Sequence, residues 1–195
     1  MTTKTKIAML AMFGVALAAL TACDKPKPSE TTASANADAI PKKVFLSKKP
    51  ADAPMLREVK ASSQVGDQVV FEARVGGRMD PFVEGMAIFL TADPRLISCD
   101  QRPGDNCPVP YDYCCEDAEA LKAGTATVQI LNSDGVPYPV SVQGQGGIEP
   151  LKTIIIEGTV AEKDAKGMFV VDASNIWVGT IPANPPSSTD ENKEG

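Results

Sequence analysis

Short segments typical of β-strands, separated by turn residues, recur from residue 61 to about residue 180. They are rich in Val, Ile, Phe and Thr, and Gly, Asp or Pro closes most of them. The predicted strands span residues 69–75, 85–91, 125–131, 140–142, 153–162 and 168–178. Helix signals are weaker, and the best of them covers residues 115–123, with acidic residues at its N-terminal end. The pattern therefore predicts a mainly β domain over residues 61–180.

The last two predicted strands say most about how the sheet closes. Gly158 lies in the middle of the first of them, and residues 163–167 form a tight turn into the second. This ending resembles that of OB-fold domains, and the Gly76-Gly77 exit from the first strand fits the same pattern. The resemblance implies a small OB-like β-barrel in which Gly158 permits the sharp bend that closure requires. A generic β-sandwich is the alternative fold.

Residues 93–124 depart from the OB-fold pattern, because they are long for a connection between the second and third barrel strands. They hold four cysteines within seventeen residues, namely Cys99, Cys107, Cys114 and Cys115. In an exported protein four cysteines are expected to form two disulfides, and three pairings are possible. Four thiolates could instead bind Zn²⁺ or Cu⁺, although the spacing lacks the Cys-x₂-Cys pair of zinc ribbons. We therefore expect a cysteine-rich loop insertion held by disulfides, with a metal site as the alternative.

The N-terminus has the features of an export signal. Lys4 and Lys6 precede sixteen uncharged residues, 7–22, which are too few for a membrane-spanning helix but typical of a signal peptide. The residues Leu20-Thr21-Ala22-Cys23 resemble the lipobox of bacterial lipoproteins. The resemblance implies that residues 1–22 are removed and that Cys23 is acylated, so that the protein is anchored in a bilayer and faces the periplasm. Which of the two envelope membranes holds it stays open, and an ordinary secreted protein is the alternative.

Two segments outside the predicted domain are rich in Pro and polar residues. Residues 23–60 contain five prolines and carry a net charge of +3, and they lack sustained apolar periodicity. We expect them to be a flexible tether, on which residues 44–46 form one small apolar island. Residues 181–195 are expected to be a disordered polar tail. The predicted organisation is thus signal peptide, tether, barrel and tail.

The charge of the predicted domain argues against nucleic acid, which OB-folds often bind. Residues 61–180 include eight basic and seventeen acidic residues, a net charge of −9. A surface of that charge repels phosphates, and only ten residues of the chain are aromatic. We therefore expect no nucleic-acid partner.

The chain contains no histidine, which removes the commonest general base and the Ser-His-Asp and Cys-His nucleophile pairs. No other catalytic constellation is visible, so we expect no enzyme activity, no catalytic residue and no cofactor. The predicted function is a non-enzymatic binding or scaffold module, whose partner is another envelope protein or a small ligand. We expect the binding surface to lie on the loops at one end of the barrel, including residues 78–82 and the cysteine loop. A metal-handling envelope protein is the alternative function.

Overall fold

Six β-strands and two short α-helices make up the part of the chain that the computed structural model describes, residues 39–182 without residue 105. The strands are β1 (Phe45–Leu46), β2 (Gln68–Val75), β3 (Ile88–Ala92), β4 (Thr125–Gln129), β5 (Thr153–Lys163) and β6 (Phe169–Val178). The helices are α1 (Leu56–Ser62) and α2 (Ala118–Gly124). The predicted signal peptide, Cys23, the first part of the predicted tether and nearly all of the predicted tail lie outside the described residues.

Five of the strands close into a barrel. β2 pairs with β3 and β5, β3 pairs with β4, β4 pairs with β6, and β6 returns to β5. All these pairings are antiparallel except that of β4 with β6, which is parallel. The mainly β, OB-like barrel predicted from the sequence is therefore confirmed, including the cysteine-rich insertion between its second and third strands.

β5 belongs to both sides of the closure, because it pairs with β2 along one edge and with β6 along the other. Its register against β6 shifts between Glu157 and Gly158. A Cβ atom at residue 158 would collide with the carbonyl oxygen of Asp172, so only glycine allows β6 to approach this closely. The predicted role of Gly158 at the bend of the barrel agrees with this geometry.

The core fills the inside of the barrel. Strand residues alternate between the interior and the outside, as Ala126 and Val128 of β4 do between less buried neighbours. The largest apolar side chains that the barrel strands contribute to this core are Phe71, Phe89, Ile154, Ile156, Phe169 and Ile176. Each buried side chain of this size contributes roughly 1.5–3 kcal/mol relative to exposure.

The structure corrects the predicted extent of the tether, because residues 40–60 belong to the folded unit. Ile40, Val44, Leu56 and Val59 are buried in the same core as the barrel strands. β1 pairs in parallel with β6, with Phe45 opposite Ile176. The apolar island at residues 44–46 therefore packs on the barrel. The remainder of this segment escaped prediction because each of its elements is too short to show a periodicity.

Two smaller corrections concern the predicted elements between β3 and β5. Residues 140–142 do not form a strand, although Val142 is buried, and they lie in a long loop between β4 and β5. The predicted helix at 115–123 is α2, which begins later because Asp117 caps it and accepts hydrogen bonds from the N–H groups of Glu119 and Ala120. Within the described residues, neither helix is long and apolar enough to cross a membrane.

Candidate functional site

The cysteine loop, residues 93–117, is closed at its base on the barrel. The N–H of Asp93 donates to the carbonyl of Gly124 at 2.7 Å, so the two ends of the insertion meet. The buried Asp93 carboxylate accepts hydrogen bonds from the Arg95 guanidinium at 2.9 Å and from the N–H of Arg57 at 2.7 Å. Burial opposes ionisation, but these hydrogen bonds outweigh it and hold the pKa of Asp93 below its usual value.

Arg74 of β2 fixes the loop to the outer face of the barrel, because it points away from the core that Phe71, Ala73 and Val75 enter. Its side chain is only 1% exposed, which is unusual for a cation. The guanidinium donates to Ser98 Oγ at 2.9 Å and to Asp100 Oδ2 at 3.5 Å, and Nε donates to the carbonyl of Leu151 at 3.4 Å. One buried cation thereby joins β2, residues 98–100 of the cysteine loop and the segment that leads into β5.

The loop has two arms, residues 98–100 and residues 110–113, which run side by side. The N–H of Cys99 donates to the carbonyl of Asp112 at 2.9 Å, and the N–H of Asp100 donates to that of Pro110 at 3.0 Å. The second arm is held by Tyr113, which is buried in a small separate cluster with Ala92 and Leu96. This pairing brings Cys99 beside the residues that follow Tyr113.

Gly76 makes the close approach of the second arm to the barrel possible. A Cβ atom at this position would lie 2.8 Å from the carbonyl oxygen of Tyr111 and 3.2 Å from the ring of Tyr113. Its φ of +150° is also one that side-chain-bearing residues rarely adopt. The Gly76-Gly77 pair at the end of β2 therefore allows the insertion to pack on the barrel as well as allowing the chain to leave the strand.

Three cysteine sulfurs converge at the junction of the two arms. The Sγ atoms of Cys99, Cys107 and Cys114 all lie within 4.8 Å of one another, and that of Cys99 is 3.6 Å from that of Cys114. Cys115 Sγ lies 3.9 Å from Cys114 Sγ and does not belong to the three-sulfur set. Cys99 is buried, Cys107 is half-buried, and Cys114 and Cys115 are exposed. The predicted grouping of the four cysteines thus becomes a cluster of three with a fourth beside it.

These sulfurs are close but not bonded. Among the described residues the structure contains no disulfide, since a sulfur–sulfur bond is about 2.05 Å long. The predicted disulfides therefore stay a prediction. Burial, together with the hydrogen bond to Cys114, raises the pKa of the Cys99 thiol to about 12.

The loops at this end of the barrel enclose a second feature, a cavity of about 210 Å³. It is formed by the β2–β3 loop, by Tyr111 of the cysteine loop and by the segment between β4 and β5. The lining residues are Asp80, Pro81, Phe82, Glu84, Tyr111, Ser141, Gln143 and Pro150. Residues 80–82 and Tyr111 of the cysteine loop, which belong to the predicted binding surface, both line this cavity. That a partner binds there stays a prediction.

The sequence did not point to Arg74 or Asp93 as residues that build this site. Arg74 lies on the face of β2 opposite Phe71 and Ala73, where the strand alternation predicts an exposed side chain, and only the cysteine loop packed on that face makes it buried. Asp93 was taken only as the end of a strand. Its role depends on Arg57, which lies in the segment predicted to be a tether.

Comparison with known proteins gives little guidance. No protein-family model matches the chain, and no curated protein matches it. Among solved structures, the chain is similar to one titled "Crystal structure of a putative aspartyl-tRNA synthetase from Leishmania major Friedlin", with 13% identity and a TM-score of 0.41. The match covers 79% of this chain and 28% of that chain, so the present chain spans little more than a quarter of that length. A similarity of this size carries no conclusion about activity.

Proposed function

We propose that the protein is a membrane-anchored periplasmic lipoprotein whose OB-like barrel is a non-enzymatic binding module. The observation that carries the proposal is the cavity at the loop end of the barrel, where three separate segments supply aromatic and polar side chains. Binding sites are commonly concave, with apolar walls and a few polar groups that orient the ligand. The lipobox-like residues before Cys23 support the anchor.

The lining of the cavity suggests the chemistry of the partner. Asp80 and Glu84 provide carboxylates, while Phe82 and Tyr111 provide aromatic rings. Carboxylates attract cations, and aromatic faces bind them as well. The partner is therefore expected to present a cationic group, either on an envelope protein or on a small ligand, and the acidic charge of the domain would steer it there.

A photo-crosslinking residue at Met79 tests this binding surface in living cells. Met79 lies on the β2–β3 loop and is 60% exposed, and Val65, before β2 at the other end of that strand, is a matched control with 59% exposure. We expect a discrete adduct from position 79 that is absent from position 65. The additional substitutions Asp80→Lys and Glu84→Lys should lower its yield. Equal adducts from both positions, or none from position 79, would contradict the proposal.

The anchor has a separate test. The substitution Cys23→Ser should abolish labelling by palmitate and release the protein from the membrane fraction. Unchanged labelling and fractionation would show that the protein is not a lipoprotein anchored at this residue. The binding proposal does not depend on whether the loop cysteines form disulfides.

A further inference from the structure

The three-sulfur cluster has the dimensions of a metal-ligand set. A metal–thiolate bond of about 2.3 Å places sulfur ligands about 3.8 Å apart in a tetrahedral site and about 4.0 Å apart in a trigonal one. The Sγ atoms of Cys99 and Cys114 are 3.6 Å apart, and Cys107 Sγ lies within 4.8 Å of both. Shifts of well under 1 Å would therefore bring all three sulfurs to bonding distance of one ion.

We propose that Cys99, Cys107 and Cys114 bind one thiophilic d¹⁰ metal ion, Zn²⁺ or Cu⁺. Thiolates without nitrogen ligands are the donor set that these ions prefer. A site of three cysteines satisfies a trigonal Cu⁺ directly, whereas Zn²⁺ takes water or another group as its fourth ligand. The site is distinct from the cavity of the proposed binding module, and the inference does not depend on that module.

The protein holds two of the three ligands, Cys99 and Cys114, on a frame that is already formed. Cys99 begins a short 3₁₀ turn, and the preceding Ser98 is fixed by the buried guanidinium of Arg74. Cys114 directly follows Tyr113, whose ring is packed in the small cluster under the loop. Because both arms are anchored on the barrel, ordering Cys99 and Cys114 around an ion costs little further entropy, and this favours binding.

Burial and charge at the cluster suit a bound cation. Cys99 is buried while Cys114 is exposed, so an ion can enter from solvent and still gain a ligand shielded from water. The surrounding segment is rich in carboxylates, among them Asp100 and Asp112, which favour the approach of a cation. Thiolates form more readily beside a metal than in its absence, so the raised pKa of Cys99 describes the metal-free thiol.

Two disulfides would require a different grouping of sulfurs. In a two-bridge arrangement the four sulfurs should form two separate close pairs. Here Cys114 Sγ is close to both Cys99 and Cys115, and Cys115 lies outside the set of mutually close sulfurs. The arrangement of three around a common centre is what a single ion needs.

The proposal is tested with the fully reduced protein under oxygen-free conditions. Native mass spectrometry is carried out with Zn²⁺ alone and, in a separate experiment, with Cu⁺ alone. At least one of the two experiments should show one tightly bound ion. Cys107→Ser and Cys114→Ser should weaken binding more than about 100-fold, beyond the 10–100-fold cost of losing an outer-shell partner. Cys115→Ser, the matched control beside the cluster, should change it less than about 10-fold.

Circular dichroism of each variant checks that the barrel is intact, and Cys114 is the most informative position because its side chain is exposed. Failure of the folded, reduced protein to bind either ion overturns the proposal. So does a Cys115→Ser variant that binds as poorly as Cys114→Ser. Mass spectrometry of the protein isolated from cells without reductant gives the last test, because two disulfides per chain would also overturn it.

Discussion

Arg74 is the residue on which the position of the cysteine loop most depends. Its guanidinium is buried between the outer face of β2 and the cysteine loop, where it donates to Ser98 and Asp100. Removing one partner from a buried charged contact typically costs about 3–5 kcal/mol, because the other is left without compensation. The substitution Arg74→Met should therefore lower the free energy of unfolding by more than about 2 kcal/mol in urea denaturation.

The control for this prediction is Arg78→Met, which removes an exposed arginine a few residues along the same chain segment. A surface substitution of this kind should change stability by less than about 0.5 kcal/mol. If the two variants lose similar stability, Arg74 does not act as a buried anchor. Arg74→Met should also reduce metal binding at the three-sulfur cluster, since Ser98 adjoins Cys99.

Asp93 gives the site a dependence on pH with a definite sign. Its pKa is lowered in the folded protein, while an unfolded Asp titrates near about 3.9. The stabilisation is thus complete at pH values well above about 4 and is lost as the pH falls through the folded pKa. Asp93→Asn should be destabilising by about 2 kcal/mol at pH 7, and its difference from the parent protein should shrink at pH 3.

Urea denaturation of both proteins at pH 7 and pH 3 measures this effect, and the comparison cancels the titration of all other carboxylates. Asp134→Asn, in the exposed turn after β4, is the control and should match the parent at both pH values. A destabilisation by Asp93→Asn that is equally large at pH 3 would show that its ionisation does not contribute.

At the scale of elements, one lysine joins α1 to three of its neighbours. Lys60 Nζ donates to the carbonyls of Lys122, Thr125 and Gly167 at 2.6–2.8 Å, which joins α1 to α2, β4 and the β5–β6 turn. Burial, with the nearby charge of Lys163, lowers the pKa of Lys60 to about 8. A helix of seven residues is not stable alone, so these contacts of Lys60, together with the burial of Leu56 and Val59, fix where α1 lies.

Lys60→Met should leave three carbonyl groups without their donor and reduce the free energy of unfolding by about 2–4 kcal/mol. Lys166→Met, which alters an exposed lysine in the β5–β6 turn, is the matched control and should have little effect. In the Lys60 variant, the backbone amides of α1 should exchange their hydrogens faster than in the parent protein, and more so than the amides of the barrel strands. An equal increase of the exchange rates in α1 and in β5 would contradict the assigned role of Lys60.

Elements differ in how well the sequence predicts them, and the reason is length. β5 and β6 are long, β-rich and joined by a tight turn, so their position and the bend at Gly158 could be predicted. β1 and α1 bury only a few side chains each, and tertiary contacts rather than local pattern decide their conformation. In the candidate site, the cysteines were visible in the sequence, but the pairing of the loop arms that brings three sulfurs together was not.

At the scale of the whole molecule, the folded unit is larger than the predicted domain. A boundary at residue 61 would remove Ile40, Val44, Leu56 and Val59 from the core, and each is buried. At roughly 1.5–3 kcal/mol per large side chain, the loss is comparable to the 5–15 kcal/mol that stabilises a typical domain. It would also remove Lys60 from its three carbonyl acceptors. The segment from residue 40 is therefore part of what keeps the barrel folded.

This makes the extent of the folding unit testable. A chain that begins at residue 63 should be unfolded or only marginally stable, whereas one that spans residues 39–182 should unfold cooperatively at the same urea concentration as the full chain. The double substitution Leu56→Ala and Val59→Ala in the full chain separates lost burial from lost chain length, and it should cost about 3–6 kcal/mol. If the chain from residue 63 is as stable as the one from residue 39, the N-terminal segment only rests on a barrel that folds without it. In that case residues 40–60 would be a docked part of the tether and not part of the folding unit.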